Sequence, residues 1–505
     1  MKNDKEVKMK QAKYVAIILI LLLAVFGLTF FSINIVYGAY HHMGEIDSGI
    51  FLSVYTDKVG TKLDSCTVCH SGGSYQSGGK TVSLGSCQWC HYKYGYDAHG
   101  NIDDTLNSYG MAYKGAGRNS AAVQAIDNLD SDNDGYSNKV EITATRYPGD
   151  PNDTPAKVVA PYKIYNREQL EKMIQHGQFL LMNAHKSVDF YTEYTGVSFE
   201  NLLKDIILSS ATGIIVFAPD GFSQYHPLDP DPNPIFYHVF GTYPEATFYY
   251  NVQATYDPIG NPAGWCDYNA PSVVGRNHGD PIINQSSLKM LLAIKRDGQY
   301  LTPGVLNLQN KLDGEGPFRA VPPQKIPGPP DQKSTASTPN LPWPFDPNAD
   351  HNAGYSSRSV TIIKVEPLPA GTTDIDTMEA GWKYIDEAKI IIYGAIDPVP
   401  NILEKLDEVV TAIVEADTDK FKNSAFQRIL SQKVEVIKNL ITNGTLFGSA
   451  YSLALDRLQT DLLKKTDGCI LTGTNDSNDW VTDCDLQKQL YWAINEIIIM
   501  INIIV

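Results

Sequence analysis

Cys66-Thr67-Val68-Cys69-His70 and Cys87-Gln88-Trp89-Cys90-His91 stand one short loop apart in this chain. Two thiols separated by two residues can form thioethers to the two vinyl groups of one haem. The histidine that follows is then held beneath the iron as its proximal ligand. The pattern predicts covalent haem at Cys66, Cys69, Cys87 and Cys90, with His70 and His91 as axial ligands. Two other chemistries use such pairs: a four-thiolate zinc cage, or two disulfides. Neither needs a histidine after each pair, so the trailing histidines favour haem. Two haems attached this close together would be neighbours within one fold.

Spacing does not give the sixth iron ligands. His41, His42 and His99 are the candidate distal ligands, with Met43 and Met111 as the sulfur alternatives. Two nearby histidine sources favour bis-histidine ligation, which sets a lower potential than a thioether does. The plain alternative for His41 and His42 is a polar start to the mature chain, and for His99 an exposed turn. Trp89, Tyr92, Tyr94 and Tyr96 crowd the second motif and read as packing for haem edges.

A third site follows at Asp130-Ser131-Asp132-Asn133-Asp134-Gly135-Tyr136-Ser137-Asn138-Lys139-Val140-Glu141. It fits the twelve-residue calcium loop at every position. Asp130, Asp132 and Asp134 supply carboxylates, Gly135 the sharp turn, Tyr136 a carbonyl, Asn138 the ninth position and Glu141 a bidentate pair. A solvated acidic loop is the bland reading, but it does not require this full ligand set.

The rest of the composition bounds the class. A formal charge of -16 excludes a nucleic-acid binder, because phosphate recognition needs a basic surface, and it suits cations and basic redox partner proteins. Lys2, Lys5, Lys8, Lys10 and Lys13 precede an apolar run over residues 14–31, the order of an export signal. A cleaved signal peptide and a retained N-terminal membrane anchor both fit residues 1–39. Either places the remainder outside the cytoplasmic membrane, in the periplasm or at the outer cell surface, with cell-envelope association left open. Export also favours a disulfide between Cys469 and Cys484, worth about 3 kcal/mol for a loop of that size. Cys266 is left over and reads as a buried, idle thiol.

At 505 residues a multidomain chain is expected. Residues 40–157 read as a small haem-dominated domain, mostly coil and α, much of whose core the haems would supply. Residues 158–397 read as a mixed α/β domain rich in strands, with strands at 213–218, 361–365 and 388–393. The Pro-rich stretch 321–357 reads as a surface excursion. Residues 398–505 read as a four-helix bundle. Its first helix opens on a capping box at Asn401-Ile402-Leu403-Glu404, and its last carries Leu490, Ile494, Ile497, Ile501 and Ile504 on a core face.

On these motifs the first region resembles small multihaem c-type cytochrome modules of metal- and sulfate-reducing bacteria. The acidic loop and the following Tyr147-Pro148-Gly149-Asp150-Pro151-Asn152-Asp153 resemble thrombospondin type 3 calcium repeats. More weakly, the middle region resembles the molybdopterin-binding domain of the sulfite oxidase family, through Gly196-Val197-Ser198-Phe199-Glu200-Asn201-Leu202-Leu203, Phe217-Ala218-Pro219-Asp220-Gly221, Leu291-Leu292-Ala293-Ile294-Lys295-Arg296-Asp297-Gly298, Gly316-Pro317-Phe318-Arg319 and Gly381-Trp382-Lys383-Tyr384-Ile385. In that family a cysteine before the first of these segments binds molybdenum, whereas here no cysteine occurs between His91 and Cys266. The resemblance therefore does not favour a molybdopterin cofactor. The C-terminal region looks like a helical module found at the ends of other bacterial exported proteins. These readings converge on an exported dihaem electron carrier rather than an enzyme. The alternative is a molybdopterin-dependent oxidoreductase with a fused haem c electron-exit domain.

Overall fold

Helices Ile46–Val54, Ser108–Gly115, Ser120–Ala125 and Asn138–Thr143 are too short to display an apolar period in sequence, yet they close on one cluster of Phe51, Leu63, Val68, Tyr109, Val123 and Ile142. Asn107 and Asn119 start two of them by accepting the amides of Gly110 and Ala122, donors that a helix start otherwise leaves unpaired. The computed structural model describes residues 46–505 apart from 78–79, 95–99, 185–186, 220–221, 231–236, 308–311, 331–348, 377–381 and 445–448. The apolar run at 14–31, together with His41, His42, Met43, Tyr96, His99 and His185, lies outside the described residues. The first region thus has an apolar cluster of its own. An antiparallel hairpin, Gly73–Ser77 with Lys80–Leu84, fills the space in sequence between the two cysteine motifs and was not anticipated.

The middle region holds two larger sheets. One runs in the order Tyr162–Asn166, Lys389–Gly394, Ile362–Glu366, Gly213–Phe217 and Ser223–Pro227, so the three strands legible in sequence lie side by side. The Ile362–Glu366 and Lys389–Gly394 strands are parallel, and their other pairings are antiparallel. The second sheet is centred on Asp189–Ser198, flanked by His176–Met182 and Leu291–Arg296, with Cys266–Asp267 added in parallel at Asp189. Tyr194, Val197, Ile214, Val216, Leu291, Ile363 and Ile392 join the two sheets in a single cluster. The described ends of the Pro-rich stretch are in part held inside, and residues 331–348 of the expected surface excursion lie outside the described residues. Asn352 is fully buried and donates to the carbonyls of Leu181 at 3.1 Å and Pro322 at 2.9 Å, while Asp350 accepts the Ile326 amide at 3.0 Å. A buried backbone needs such partners, and prolines supply carbonyls without donors to satisfy.

The C-terminal region is helical. Val399–Glu415, Ser424–Gly444, Ser449–Arg457 and Cys484–Asn502 enclose Leu406, Val409, Leu430, Ile437, Ile494 and Ile497. The capping box expected at Asn401 is not formed. Pro398 and Pro400, with fixed φ, start the helix earlier, and Asn401 instead accepts the Tyr162 amide at 3.0 Å, tying this helix to the first large sheet. The third helix leaves α geometry after Arg457, passing through a π turn at Leu458–Leu462 and a 3-10 turn at Leu463–Lys465. Cys469 and Cys484 form the expected disulfide. No described helix is long and apolar enough to cross a membrane. The separate apolar clusters give the fold a multidomain character.

A buried charge network joins the first region to the middle one. Lys62 is fully buried, its Nζ 2.7 Å from Asp153 and 3.2 Å from the Thr373 hydroxyl. Arg146 reaches Asp376 at 3.2 Å, and the strand Val158–Val159 pairs with Thr372–Thr373. The segment that follows the acidic loop is thereby fixed to the α/β region.

Candidate metal and haem centres

The first motif is a single tight turn. Cys66–Val68 form a 3-10 helix whose first residue is preceded by Ser65, and the Ser65 hydroxyl accepts the Thr67 amide at 3.2 Å. The amides of Cys69 and His70 both donate to the Cys66 carbonyl, at 3.1 and 2.9 Å. The segment 101–110 wraps this turn. The Asn107 amide donates to the Cys69 carbonyl at 2.9 Å, and its side-chain NH2 donates to the carbonyls of Thr67 at 3.2 Å and Val68 at 3.0 Å. Gly110 backs directly onto this turn, since a Cβ there would stand 2.2 Å from the Cys69 carbonyl oxygen. His70 Nδ1 lies 2.8 Å from the Thr105 hydroxyl. Cys66, Cys69 and Cys90 belong to no disulfide. Burial, followed by the charges of Asp47 and Cys66, pushes the Cys69 thiol up to about 12.

The second motif lies on the helix Ser86–Lys93, which carries Cys87, Cys90 and His91. The side chains of Cys87 and His91 lie outside the described residues. The Ser86 hydroxyl donates to the His70 carbonyl at 3.0 Å, so the start of this helix touches the end of the first motif. Trp89 stacks on Tyr92 with centroids 5.5 Å apart, and Lys93 Nζ sits 5.0 Å from the Trp89 ring. Met111, the sulfur candidate within the described residues, follows Gly110 on the helix Ser108–Gly115 and is 48% exposed.

The acidic loop folds as a tight turn that gathers three carboxylates. One carboxylate oxygen each of Asp130, Asp132 and Asp134 lies within 4.8 Å of the others. Asp130 accepts the amides of Asp134 at 3.1 Å and Gly135 at 2.9 Å, and Asp134 accepts that of Tyr136 at 2.8 Å. Asn133 and Gly135 make the turn with φ of 65° and 100°. Asn138 is fully buried; its carbonyl accepts the Ser131 amide at 3.3 Å and its NH2 donates to Ile126 at 2.7 Å. Both oxygens of Asp132, one of Asp134 and both of Glu141 are buried without a hydrogen-bond partner. Burial first, then the aspartates, pushes Asp132 up to about 6 and Glu141 up to about 9. Buried oxygens that no protein donor satisfies are what a hard cation requires.

Cys266 is fully buried on its short parallel strand, and burial with neighbouring Asp189 raises its thiol, the opposite of what a molybdenum thiolate needs. The residues present do not fit that group. His226 is fully buried with Nδ1 3.1 Å from the Tyr237 carbonyl. A second acidic group not foreseen from the sequence, Asp467, Asp476 and Asp479, sits beside the disulfide. Within it the buried Asp479 already accepts amides from Gly468 and Asp476. Thr105 and Asn107 were also missed, because nothing in a threonine or asparagine far along the chain signals contact with a cysteine motif. The chain matches no protein-family model, no curated protein and no solved structure.

Proposed function

We propose that this chain is an exported dihaem c-type cytochrome that accepts and passes single electrons in the bacterial cell envelope. The observation that carries the reading is the pair of CxxCH motifs, with Ser86, the residue before the second, donating to the His70 carbonyl that ends the first. Haem, when bound, supplies a one-electron iron couple whose potential follows from axial ligands, burial and hydrogen bonding. Cys66 and Cys69 would anchor one group and Cys87 and Cys90 the other, with His70 and His91 as proximal ligands. The turn wrapped by Asn107 holds the first cysteine pair at fixed separation. The loop at 130–141 is proposed to hold calcium through Asp130, Asp132, Asp134, the Tyr136 carbonyl, Asn138 and Glu141. Its unsatisfied buried carboxylates support that reading. Helix Asn138–Thr143 then leads directly into Arg146 and Asp153, so the calcium loop braces the haem region against the α/β region. The C-terminal helices, read as a four-helix bundle, and the α/β region would dock a redox partner or the cell envelope, and the acidic surface suits a basic partner.

Metal analysis of protein matured in a host that attaches haem c tests this directly. Two irons and one calcium per chain are expected. Zinc in place of iron would overturn the haem assignment. Stoichiometric molybdenum would move the active centre to the middle region, with Cys266 the first residue to replace.

A further inference from the structure

We propose that Thr105 is a positioning residue that fixes which nitrogen His70 offers to iron, and that through this bond it lowers the potential of the haem on the first motif. The inference rests on the dihaem reading. A threonine hydroxyl has one proton, and that of Thr105 goes to the Ile102 carbonyl at 2.7 Å. Toward His70 Nδ1, at 2.8 Å, Thr105 is therefore the acceptor. Nδ1 carries the imidazole proton and Nε2 carries the lone pair, the tautomer a CxxCH histidine needs for iron.

The bond is built into the fold. Thr105 is fully buried, so water does not compete for its hydroxyl. It closes the 3-10 turn Ile102–Thr105, which Asn101 caps by accepting the Asp103 amide at 3.2 Å. Its carbonyl accepts the Ser71 amide at 2.9 Å, and the next residue, Leu106, bridges to His70. Backbone and side chain of one residue thus grip both His70 and its neighbour. An acceptor at Nδ1–H pushes electron density into the ring, makes Nε2 a stronger donor and favours ferric iron. Its own donation to Ile102 orients the lone pair that does this.

The test is a potentiometric titration of the full haem-loaded chain, wild type against Thr105→Val and Thr105→Ser. Valine keeps the β-branched shape and removes the acceptor. In that variant one of the two single-electron steps should shift toward the ferrous form by three- to tenfold, tenfold being about 59 mV for one electron. The other step should stay in place, and serine should restore the wild-type value. Two attached haems with neither step moved by valine would overturn the role of Thr105 alone. Equal movement of both would also overturn it, marking a general structural effect. A wild-type chain that attaches no haem would instead overturn the cytochrome reading, and this one with it. If the valine variant does not mature, 15N NMR of wild-type His70 decides. A protonated Nδ1 with slow solvent exchange supports the proposal, and a bare Nδ1 ends it.

Discussion

Calcium should stabilise this protein through four carboxyl groups, of which Asp132 and Glu141 accept no hydrogen bond and Asp134 keeps one buried oxygen without a donor. The oxygens of Asp130, Asp132 and Asp134 lie within 4.8 Å of one another, and two unit charges at that distance repel by about 3 kcal/mol at an effective dielectric near 20. Glu141 adds a fully buried carboxyl with neither oxygen hydrogen-bonded. A dication turns that repulsion into attraction. Extracellular calcium modules bind at roughly 10⁻⁴ to 10⁻³ M, so about 10 mM calcium corresponds to ~10 to 100 times Kd. The linked stabilisation is then about 1.4 to 2.7 kcal/mol. For a cooperative unit of about 150 to 250 residues this raises Tm by roughly 3 to 10 °C. The assay is calorimetric melting in chelator, then with calcium, then with magnesium, for wild type and Glu141→Gln. Glutamine keeps the shape, so the variant should melt no lower than wild type in chelator and should lose most of the calcium response. Identical wild-type melting in chelator and calcium would refute the argument, as would a full calcium response in the variant.

Other residues give sharper local tests. Gly110→Ala places a Cβ against the Cys69 carbonyl, which is backbone and cannot rotate away, so haem attachment at Cys66 and Cys69 should fall while the second motif stays loaded; full loading of both would contradict the wrapped-turn geometry. Lys62→Met breaks a fully buried ion pair with Asp153 and should lower unfolding free energy by about 3 kcal/mol, the low end for such a break because Arg146 lies 3.7 Å from the same carboxylate. A loss under about 1 kcal/mol in urea titrations would show that the two regions do not depend on this pair. Burial pushes His226 down to about 4, whereas the unfolded side chain titrates near ~6.5. Unfolding therefore takes up a proton in acid, and stability is lost as pH falls from about 6.5 toward 4, by at most about 3 kcal/mol. Glutamine at position 226 should remove that part of the acid dependence, and parallel pH profiles for the two proteins would refute it.

What was legible in the sequence was whatever a short local pattern specifies. The strands at 213–218, 361–365 and 388–393 showed as apolar β-branched runs, and the long helices from Ser424 and Cys484 showed an apolar period over many turns. The cysteine pair at 469 and 484 was legible from proximity and from the expectation of export. The short helices of the first region hide, because one or two turns cannot express a period, and their core at Phe51, Tyr109 and Ile142 appears only on folding. The failed capping box at Asn401 shows a local signal losing to a stronger neighbour, since proline φ set the helix start first. At the candidate site, the cysteines, histidines and acidic loop announced themselves through spacing. Thr105, Asn107 and the Lys62–Asp153 pair did not, because their chemistry comes from contacts between distant segments. Sequence supplies candidate ligands, and the residues that orient them are chosen by the fold.

The central claim is tested most directly by the mass of the intact chain matured in a host that attaches haem c. Mass spectra would be compared across wild type, the Cys66→Ala/Cys69→Ala double variant and the Cys87→Ala/Cys90→Ala double variant. The account predicts two covalent haems in the wild type and one in each double variant. A wild-type mass carrying no haem, or one that changes only by bound zinc, would contradict it.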